Sequence, residues 1–400
     1  MPQLTVVGPG GSQVDVAIGT SQNASVAAQI LDLITNQVAQ GNLTPYEYDG
    51  IGPLAAPTGP GYLVVTGPGA AAPPADTPYV VDVAQGPVLL QGGAASTQAV
   101  VSDSPLTYYA NSGVGTVVAS GGGSDLITAL TGGGAHVFVA DGNNNRVVAL
   151  SGNDSIYVGS GDCNNVVLGS GNDLVVASGQ DSIVAGSGQD TVQVISGTAA
   201  VQGGSGTLLF ANGSDSSTVF GGTGSDTVTG GNGGGVYHGG TAGDNLLMGG
   251  LAATTLFGGG SGDTLIGLGC GNNLLQAGSG SETLIGAGSG SETLIGGSGA
   301  DSIAGGFGQN TLVAGSGGGT LTGGMAGNLY EFNAQSQGNF VVTDFVQGVD
   351  KIALTGGTCN SVSDALNSQQ TSGGSVTVTL NDATKVTFAG ITHLDRGSFS

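Results

Sequence analysis

From residue 121 to about 330 the chain repeats a unit of nine or ten residues, and this period limits the fold more than any other feature. Each unit has a glycine- and serine-rich turn and one reference residue, and in most units a Val, Leu or Ile follows two positions after it. The decapeptide AGSGSETLIG even occurs twice in succession, at 277–296. The reference residues are Asp125, Ala135, Asn145, Asp154, Asn164, Asp173, Asp181 and Asp190, and then Asp226, Gly235, Asn245, Thr254, Asp263, Asn273, Glu282, Glu292, Asp301, Asn310, Gly319 and Asn328.

A unit with a strand of three or four residues cannot bury its apolar side alone, but stacked units can. Strands stacked ~4.8 Å apart would place the aliphatic residues in ladders along a narrow core. Glycine suits the turns because it adopts positive φ without steric cost. A flexible Gly/Ser linker would not place an aliphatic residue at every ninth or tenth position. We therefore predict an all-β protein, a parallel β-roll or β-solenoid of Gly-rich units.

Composition agrees with a thin core and excludes several functions. The hydrophobic fraction is 38% but aromatic residues make up only 5%, so Val, Leu, Ile and Ala must form the core. With 4 Lys and Arg against 27 Asp and Glu, nucleic acid and anionic membranes are poor partners. No apolar run is long enough for a transmembrane segment. The three cysteines are far apart, without the spacing of a disulfide framework or zinc site.

Sequence texture divides the chain into three regions. Residues 1–120 mix short β-like runs with one helix and are predicted to form an assembly or cap region. Residues 121–330 form the repeat region. Residues 331–400 are predicted to be a capping and secretion region, in which the alternating runs 375–380 and 385–390 form a β-hairpin. The hairpin would cover the open last strand of the solenoid.

The helix is predicted within residues 21–42, where apolar residues recur at helical spacing. Gly41 is the expected stop. The apolar residues of this face are Val26, Ile30, Leu33, Ile34 and Val38.

Several units resemble the RTX (repeats-in-toxin) calcium-binding nonapeptide, G-G-x-G-x-D-x-U-x, in which U is a large aliphatic residue. GGTGSDTVT (221–229) and GGSGADSIA (296–304) match in full, and GGFGQNTLV (305–313) has Asn310 in place of the Asp. GSGNDLVV (169–176) and GSGQDTVQV (186–194) are close variants. The resemblance implies a β-roll with two units per coil and Ca²⁺ held between turns by Asp carboxylates and turn carbonyls. It also implies type I secretion through an uncleaved C-terminal signal.

With two units per coil, alternate reference residues fall on opposite edges of the roll, so the resemblance implies a nearly one-sided calcium ladder. Asparagine amides on the second edge can stack without metal, and an ion at Glu292 is expected to be weak or absent. Asp344 and Asp350 are open to two interpretations, a further Ca²⁺ site or a surface loop. The metal ligands are predicted to be Asp154, Asp173, Asp190, Asp226, Asp263, Glu282 and Asp301 on one edge, and Asp181 on the other.

No catalytic constellation is evident. His136, His238 and His393 are isolated in sequence and are expected to be exposed strand or turn residues; no HExxH or GxSxG motif occurs. The residue after each inward aliphatic should face outward and is mostly apolar, which is either an association surface or a tolerated feature of β-rolls. These outward residues are Phe138, Val148, Tyr157, Val167, Val176, Val184, Phe210, Phe220, Met248, Phe257, Ile266, Ile285, Ile295 and Val313.

Three functions remain open. The preferred one is a non-enzymatic, secreted, calcium-binding structural protein that self-associates into an extracellular filament, surface layer or matrix. The second is an adhesin or a module that binds polysaccharide or ice through its flat face, although the outward residues are more aliphatic than such ligands favour. The third is a small secreted enzyme whose site lies in residues 1–120, with paired carboxylates around Glu47 or Asp49.

Overall fold

Parallel β-strands dominate the computed structural model, and the chain divides into two compact units, Met1–Gly206 and Thr207–Ser400. Among the described residues, no helix is long and apolar enough to cross a membrane. The described residues are 3–17, 23–55, 58–92, 98–110, 113–120, 122–130, 134–333, 336–356, 361–380 and 383–400.

The first unit contains one α-helix, α1 (Asn23–Ala39), and a 3-10 turn at Pro9–Gly11. Its strands are β1 (Gln3–Val7), β2 (Gln13–Ala17), β3 (Thr44–Tyr48), β4 (Gly61–Val65), β5 (Gly69–Ala71), β6 (Tyr79–Asp82), β7 (Val88–Gln91), β8 (Gln98–Ser102), β9 (Leu106–Ala110), β10 (Gly115–Ala119), β11 (Leu126–Ala129), β12 (His136–Ala140), β13 (Arg146–Ser151), β14 (Ser155–Val158), β15 (Asn164–Ser170), β16 (Leu174–Val184) and β17 (Gln189–Gln202).

The second unit contains a short helix, α2 (Val362–Asn367), and a 3-10 turn at Arg396–Ser398. Its strands are β18 (Thr207–Ala211), β19 (Ser217–Phe220), β20 (Thr227–Thr229), β21 (Gly235–His238), β22 (Leu246–Met248), β23 (Thr254–Phe257), β24 (Thr264–Gly267), β25 (Leu274–Gln276), β26 (Thr283–Gly286), β27 (Thr293–Ile295), β28 (Asp301–Ala304), β29 (Thr311–Val313), β30 (Gly319–Thr322), β31 (Leu329–Phe332), β32 (Asn339–Val342), β33 (Lys351–Leu354), β34 (Gln370–Ser372), β35 (Ser375–Thr379) and β36 (Lys385–Phe388).

Each unit is a parallel β-solenoid, as predicted. In the first unit the even-numbered strands from β4 to β16 pair in parallel, and the odd-numbered strands from β5 to β15 form the facing sheet. The second unit repeats this alternation from β18 to β33. Parallel pairing already begins between β3 and β4. Solenoid coils therefore occupy much of residues 1–120, where the sequence shows no repeat.

Inward side chains of the two sheets form the core of each unit. Leu284 and Leu294, from the two copies of AGSGSETLIG, are fully buried, whereas Ile285 and Ile295 lie half-buried on the outside. The ladder of the even-numbered strands in the first unit, continued into β17 by Val192, is Leu63, Val80, Val100, Val117, Phe138, Ile156, Val175 and Val192.

The N-terminal hairpin and α1 cover the outer face of the first coils. Ala27, Ile30, Leu31 and Ile34 of the helix pack on outward valines of five strands, in one buried cluster. The prediction that Leu33 belongs to the buried face is wrong, because Leu33 is 52% exposed and Leu31 takes its place. The covered valines are Val64, Val81, Val101, Val118 and Val139.

The C-terminal segment caps the last coils, as predicted. Strands β35 and β36 form an antiparallel hairpin, and β36 pairs in parallel with β32. A bridge between Ile352 and Phe399 covers the edge of β33. Residues 381–382 of the hairpin turn lie outside the described residues. The short helix α2 was not predicted.

Two outward assignments and one reference residue were wrong. Phe138 and Phe210 are fully buried and point inward. Because Phe138 takes the inward position of its coil, the reference residue there is His136 rather than Ala135, and Val139 faces α1. The other twelve outward residues are at least partly exposed, as expected.

Candidate functional site

The reference side chains point into the edges of the solenoid and form hydrogen-bonded ladders. The Oδ1 atom of Asp173 accepts the backbone N–H of Asp154, one coil earlier, at 2.7 Å. Asn164 accepts the N–H of Asn145 in the same way at 3.0 Å. A buried N–H without an acceptor is energetically costly. Each of these side chains therefore stabilises the fold by accepting the backbone N–H at the start of the strand in the neighbouring coil.

The described residues form four such ladders, two per unit, and these alternate along the chain as predicted. The first ladder is His136, Asp154, Asp173 and Asp190. The second is Asp125, Asn145, Asn164 and Asp181. The third is Asp226, Asn245, Asp263, Glu282 and Asp301. The fourth is Thr254, Asn273, Glu292, Asn310, Asn328 and Asp350.

A second, exposed ladder runs along the turns in the opposite direction. Asn153 accepts the N–H of Asn172 at 2.8 Å, and Asn172 accepts the N–H of Gln189 at 2.9 Å. Here the acceptor belongs to the earlier coil, whereas in the buried ladders it belongs to the later one. Successive coils are therefore tied together in both directions, by the reference residue and by the residue before it.

Several carboxylates have both oxygen atoms engaged by N–H donors. In Asp190, Asp226, Asp263 and Asp301, Oδ2 accepts the N–H of the residue four positions earlier, at 2.7 to 3.0 Å. Their Oδ1 atoms serve as rungs. These groups are structural acceptors even without a cation.

Other carboxylates keep a buried oxygen atom without a hydrogen-bond partner. This holds for Oδ2 of Asp125, Asp154, Asp173 and Asp181. An unpaired buried carboxylate oxygen is unfavourable, and a hard cation is a natural partner for it. Of these four, Asp154, Asp173 and Asp181 are predicted metal ligands.

The two copies of AGSGSETLIG place their glutamates in different surroundings. Glu282 lies in the third ladder, 2% exposed, and neither of its carboxylate oxygens has a hydrogen-bond partner. Glu292 lies in the fourth ladder, where Oε2 accepts the N–H of Asn273 at 2.8 Å and only Oε1 is unpaired. The longer glutamate side chain thus acts as a rung at one edge and not at the other.

Burial shapes the acid strength of these groups. Burial raises the pKa of Asp173 and of Asp181 to about 6. The N–H groups that donate to these carboxylates lower the pKa, but by less than burial raises it. Burial, and then the adjacent carboxylate of Asp301, raise the pKa of Glu282 well above its usual range. A divalent cation would favour the ionised forms.

The donor set at these edges fits a hard cation only in combination with the backbone. Among the described residues, no three acidic, histidine or cysteine side chains converge closely enough to hold a metal ion. Turn carbonyls are the remaining candidate ligands: the oxygen of Gly169, four residues before Asp173 in the chain, accepts one N–H from Ser187 and keeps a second lone pair. Ca²⁺ takes about six to eight oxygen ligands of this kind.

Asp344 and Asp350 serve the backbone. Asp344 accepts N–H groups from Gly323 and Gly324 and the hydroxyl of Tyr330. Asp350 is the last rung of the fourth ladder and accepts the N–H of Val346 through its other oxygen.

In the described part of the chain, the histidines and cysteines do not come together in one cluster. His136 was expected to be exposed, but it is buried, stacked on Phe138, with Nδ1 2.9 Å from Oδ1 of Asp154. His393 and the free thiols of Cys163 and Cys270 are exposed. Cys359 lies outside the described residues.

His238 lies on the outer face of the odd-numbered strands of the second unit. It is stacked between Phe220 and Phe257, with ring centroids 4.7 and 4.4 Å apart. Burial between the two rings lowers the pKa of His238.

The repeats match the model of a known family, the RTX calcium-binding nonapeptide repeat, in four copies at 139–175, 164–192, 212–236 and 286–321. The chain carries RTX calcium-binding repeats. These RTX repeats contain Asp154, Asp173 and Asp181, whose Oδ2 atoms are unpaired, and also Asp226 and Asp301, whose oxygens are engaged. No curated protein is similar enough to the chain to count as a relative.

Sequence reasoning found the rungs but missed how they differ. The motif identifies the carboxylates and their alternation between edges. Whether an oxygen atom remains free depends on the orientation of the turn peptide, which the reference residue alone does not reveal. The residue type could have indicated this difference. Asparagine rungs donate their amide N–H₂ to turn carbonyls, whereas aspartate rungs such as Asp263 and Asp301 accept turn N–H groups.

Proposed function

We propose that the chain is a secreted, non-enzymatic structural protein that is stabilised by Ca²⁺ and associates with copies of itself. The observation that carries the calcium part is the set of buried carboxylate oxygens without partners in the RTX repeats. On this basis Asp154, Asp173 and Asp181 hold the ions first, and Glu282, which lies outside the matched repeats but also has unpaired buried oxygens, joins them. Asp190, Asp226, Asp263 and Asp301 serve mainly as structural rungs and offer only their remaining lone pairs.

Calcium binding is tested by calorimetric titration of the chelator-treated chain, followed by thermal unfolding with Ca²⁺ and with EDTA. We expect saturable binding and a higher melting temperature in Ca²⁺. Mg²⁺ is the control, because it prefers a stricter octahedral geometry and dehydrates reluctantly. The absence of heat and of any shift in melting temperature would defeat this proposal.

The outer face of the even-numbered strands in the second unit supports self-association. Each strand presents two outward residues there, and no member of either column is charged, although the whole chain carries a net charge of −23. Two copies can approach through such a face with little electrostatic repulsion. The first column is Thr227, Leu246, Thr264, Thr283, Ser302, Thr320 and Val341, and the second is Thr229, Met248, Ile266, Ile285, Ala304, Thr322 and Thr343.

Association through this face is tested by light scattering and electron microscopy of the purified chain in Ca²⁺ and in EDTA. The variant Ile266→Lys with Ile285→Lys places two charges on the face and should reduce assembly. Ser289→Lys places a charge on an exposed turn and is the matched control. A chain that stays monomeric in Ca²⁺ at all concentrations would refute self-association.

The first outward column favours a second candidate function, a binding module for a regular polymer surface or for ice. Sequence reasoning considered only the residue after each inward aliphatic, but the residue before it also faces outward. In the second unit that position is threonine in β20, β24, β26 and β30. Sedimentation with insoluble polysaccharides and measurement of ice-growth inhibition test this candidate, with Thr264→Lys and Thr283→Lys as disruptive variants.

The contacts of Glu47 and Asp49 give no support to an enzyme site in residues 1–120. Glu47 is exposed and accepts the hydroxyl of Thr66, and Asp49 accepts the N–H of Ile51 in its own turn. Both are contacts typical of strand and turn residues.

Secretion is proposed because extracellular Ca²⁺ is abundant enough to load RTX repeats.

A further inference from the structure

The asparagine rungs bind their own turns through the amide nitrogen. In all six asparagine rungs of the four ladders, Nδ2 donates to a backbone carbonyl oxygen of the turn two to five residues earlier. The acceptors are Asp141 and Gly142 for Asn145, Gly161 for Asn164, Ala242 for Asn245, Leu268 for Asn273, Gly308 for Asn310 and Ala326 for Asn328, at 2.7 to 3.2 Å.

The saturated aspartate rungs bind their turns with the opposite polarity. Asp263 accepts the N–H of Gly259 at 2.7 Å, and Asp301 accepts the N–H of Gly297 at 2.7 Å. An aspartate turn therefore presents N–H groups to the edge, and an asparagine turn presents carbonyl oxygens. The carbonyl oxygens are the groups that a Ca²⁺ ion needs as ligands.

We infer that the asparagine rungs make their turns independent of metal, because the side-chain amide takes the role that a cation has in an RTX repeat. The N–H₂ group carries partial positive charge and is a donor only. It satisfies the turn carbonyls from inside, and in two rungs it also contacts a neighbouring carboxylate. Nδ2 of Asn164 lies 2.9 Å from Oδ1 of Asp181, and Nδ2 of Asn245 lies 2.8 Å from Oδ1 of Asp263.

This inference rests on the proposed function, since it divides the calcium ladder into rungs that take an ion and rungs that replace it. It predicts that a single change from amide to carboxylate creates a calcium site. Asn310 is the sharpest position, because its Nδ2 donates both to Gly308 at 2.8 Å and to Gly323 at 3.2 Å. A carboxylate there would place three oxygen atoms together with no donor between them.

The test compares Asn310→Asp with the wild-type chain. Calorimetric titration should show one additional Ca²⁺ per chain, and thermal unfolding should show a loss of stability in EDTA that Ca²⁺ restores. Asn310→Ala is the control, because it removes the amide without adding a ligand and should be destabilised equally in both conditions. Asn145→Asp is the second variant, at a rung whose amide contacts the carbonyls of Asp141 and Gly142. If Asn310→Asp does not fold, the same measurements on Asn145→Asp provide the test.

An unchanged number of ions, with equal loss of stability in Ca²⁺ and in EDTA for both aspartate variants, would overturn the inference. Failure of the proposed function gives a different result. In that case the wild-type chain binds no Ca²⁺, and the gain of an ion by Asn310→Asp still supports the role of the amide.

Discussion

Oδ1 of Asp173 lies 2.7 Å from the backbone nitrogen of Asp154 and accepts its N–H, while Oδ2 of the same Asp173 carboxylate is buried without a hydrogen-bond partner. The two oxygens of one side chain therefore have different roles. One holds successive coils together whether or not a cation is present. The other is free to bind one. The separation of these roles leads to the first prediction.

Asp173→Asn should remove calcium stabilisation without weakening the metal-free chain. The amide oxygen can still accept the N–H of Asp154, and the neutral amide replaces a carboxyl group whose pKa burial raises to about 6, so the free energy of unfolding in EDTA at pH 7.5 should rise by roughly 1–2 kcal/mol. Asp190→Asn is the matched control, because the amide cannot accept the N–H of Gly186 through its second atom. It should lose roughly 1–2 kcal/mol in both conditions. Chemical denaturation with Ca²⁺ and with EDTA measures both, and similar behaviour of the two variants would contradict the distinction.

Glu282→Gln should stabilise the chain in EDTA. Its carboxyl group is buried, accepts no N–H group and lies beside the carboxylate of Asp301, so replacing it with a neutral amide should raise the free energy of unfolding by roughly 1–3 kcal/mol. Addition of Ca²⁺ should raise the free energy of unfolding of the wild-type chain more than that of the variant. Glu292→Gln is the control at the identical decapeptide, where the amide oxygen can keep the N–H of Asn273. A less stable Glu282→Gln variant in EDTA would show that the glutamate has a partner in solution.

Asp125→Asn should reduce the pH dependence of stability in EDTA. Burial raises the pKa of Asp125 to about 6, the carboxylates of Asp82 and Asp141 raise it further, and the N–H of Leu106 lowers it. Because the unfolded value is about 3.9, the contribution of Asp125 to stability is complete below pH ~4 and is lost as the pH rises through 6. At pH 7.5 the neutral amide should therefore gain roughly 2 kcal/mol over the carboxylate.

The difference between the wild type and Asp125→Asn should be small near pH 4 and grow towards pH 7. Urea denaturation at several pH values measures it. A constant difference across this range would mean that Asp125 titrates at its ordinary pKa.

The sequence period was sufficient to predict most of the side chains that point inward and how the rungs alternate. Leu284 and Leu294 are buried, and Glu282 and Glu292 lie on different ladders, because a regular coil leaves a residue no other orientation. The N–H donors of the rungs could not be predicted, since each comes from a residue about 19 positions away or from a turn peptide with two possible orientations. The coils between Thr44 and Ala119 were also hidden. Their strands pack like the others, but their turns lack the glycine motif that makes the period visible.

His136 shows a second limit of pattern reasoning. Phe138 fills the inward position that an aliphatic residue fills in most other coils, so counting from Val137 placed the reference one residue too early. The outer face of this coil lies under α1, which makes Val139 as buried as a core residue. Because α1 comes from a distant part of the sequence, the prediction could not foresee that outward residues of this coil are also buried.

The N-terminal cap gives the last prediction. Ile34 is fully buried against the outward valines of the first coils, whereas Leu33, on the same helix, is 52% exposed. Ile34→Ala should therefore lower the free energy of unfolding by about 2–4 kcal/mol, and Leu33→Ala by less than about 1 kcal/mol. Urea denaturation followed by circular dichroism measures both. If α1 is detached from the solenoid in solution, the two substitutions will have equally small effects and the valine column will be open to other partners.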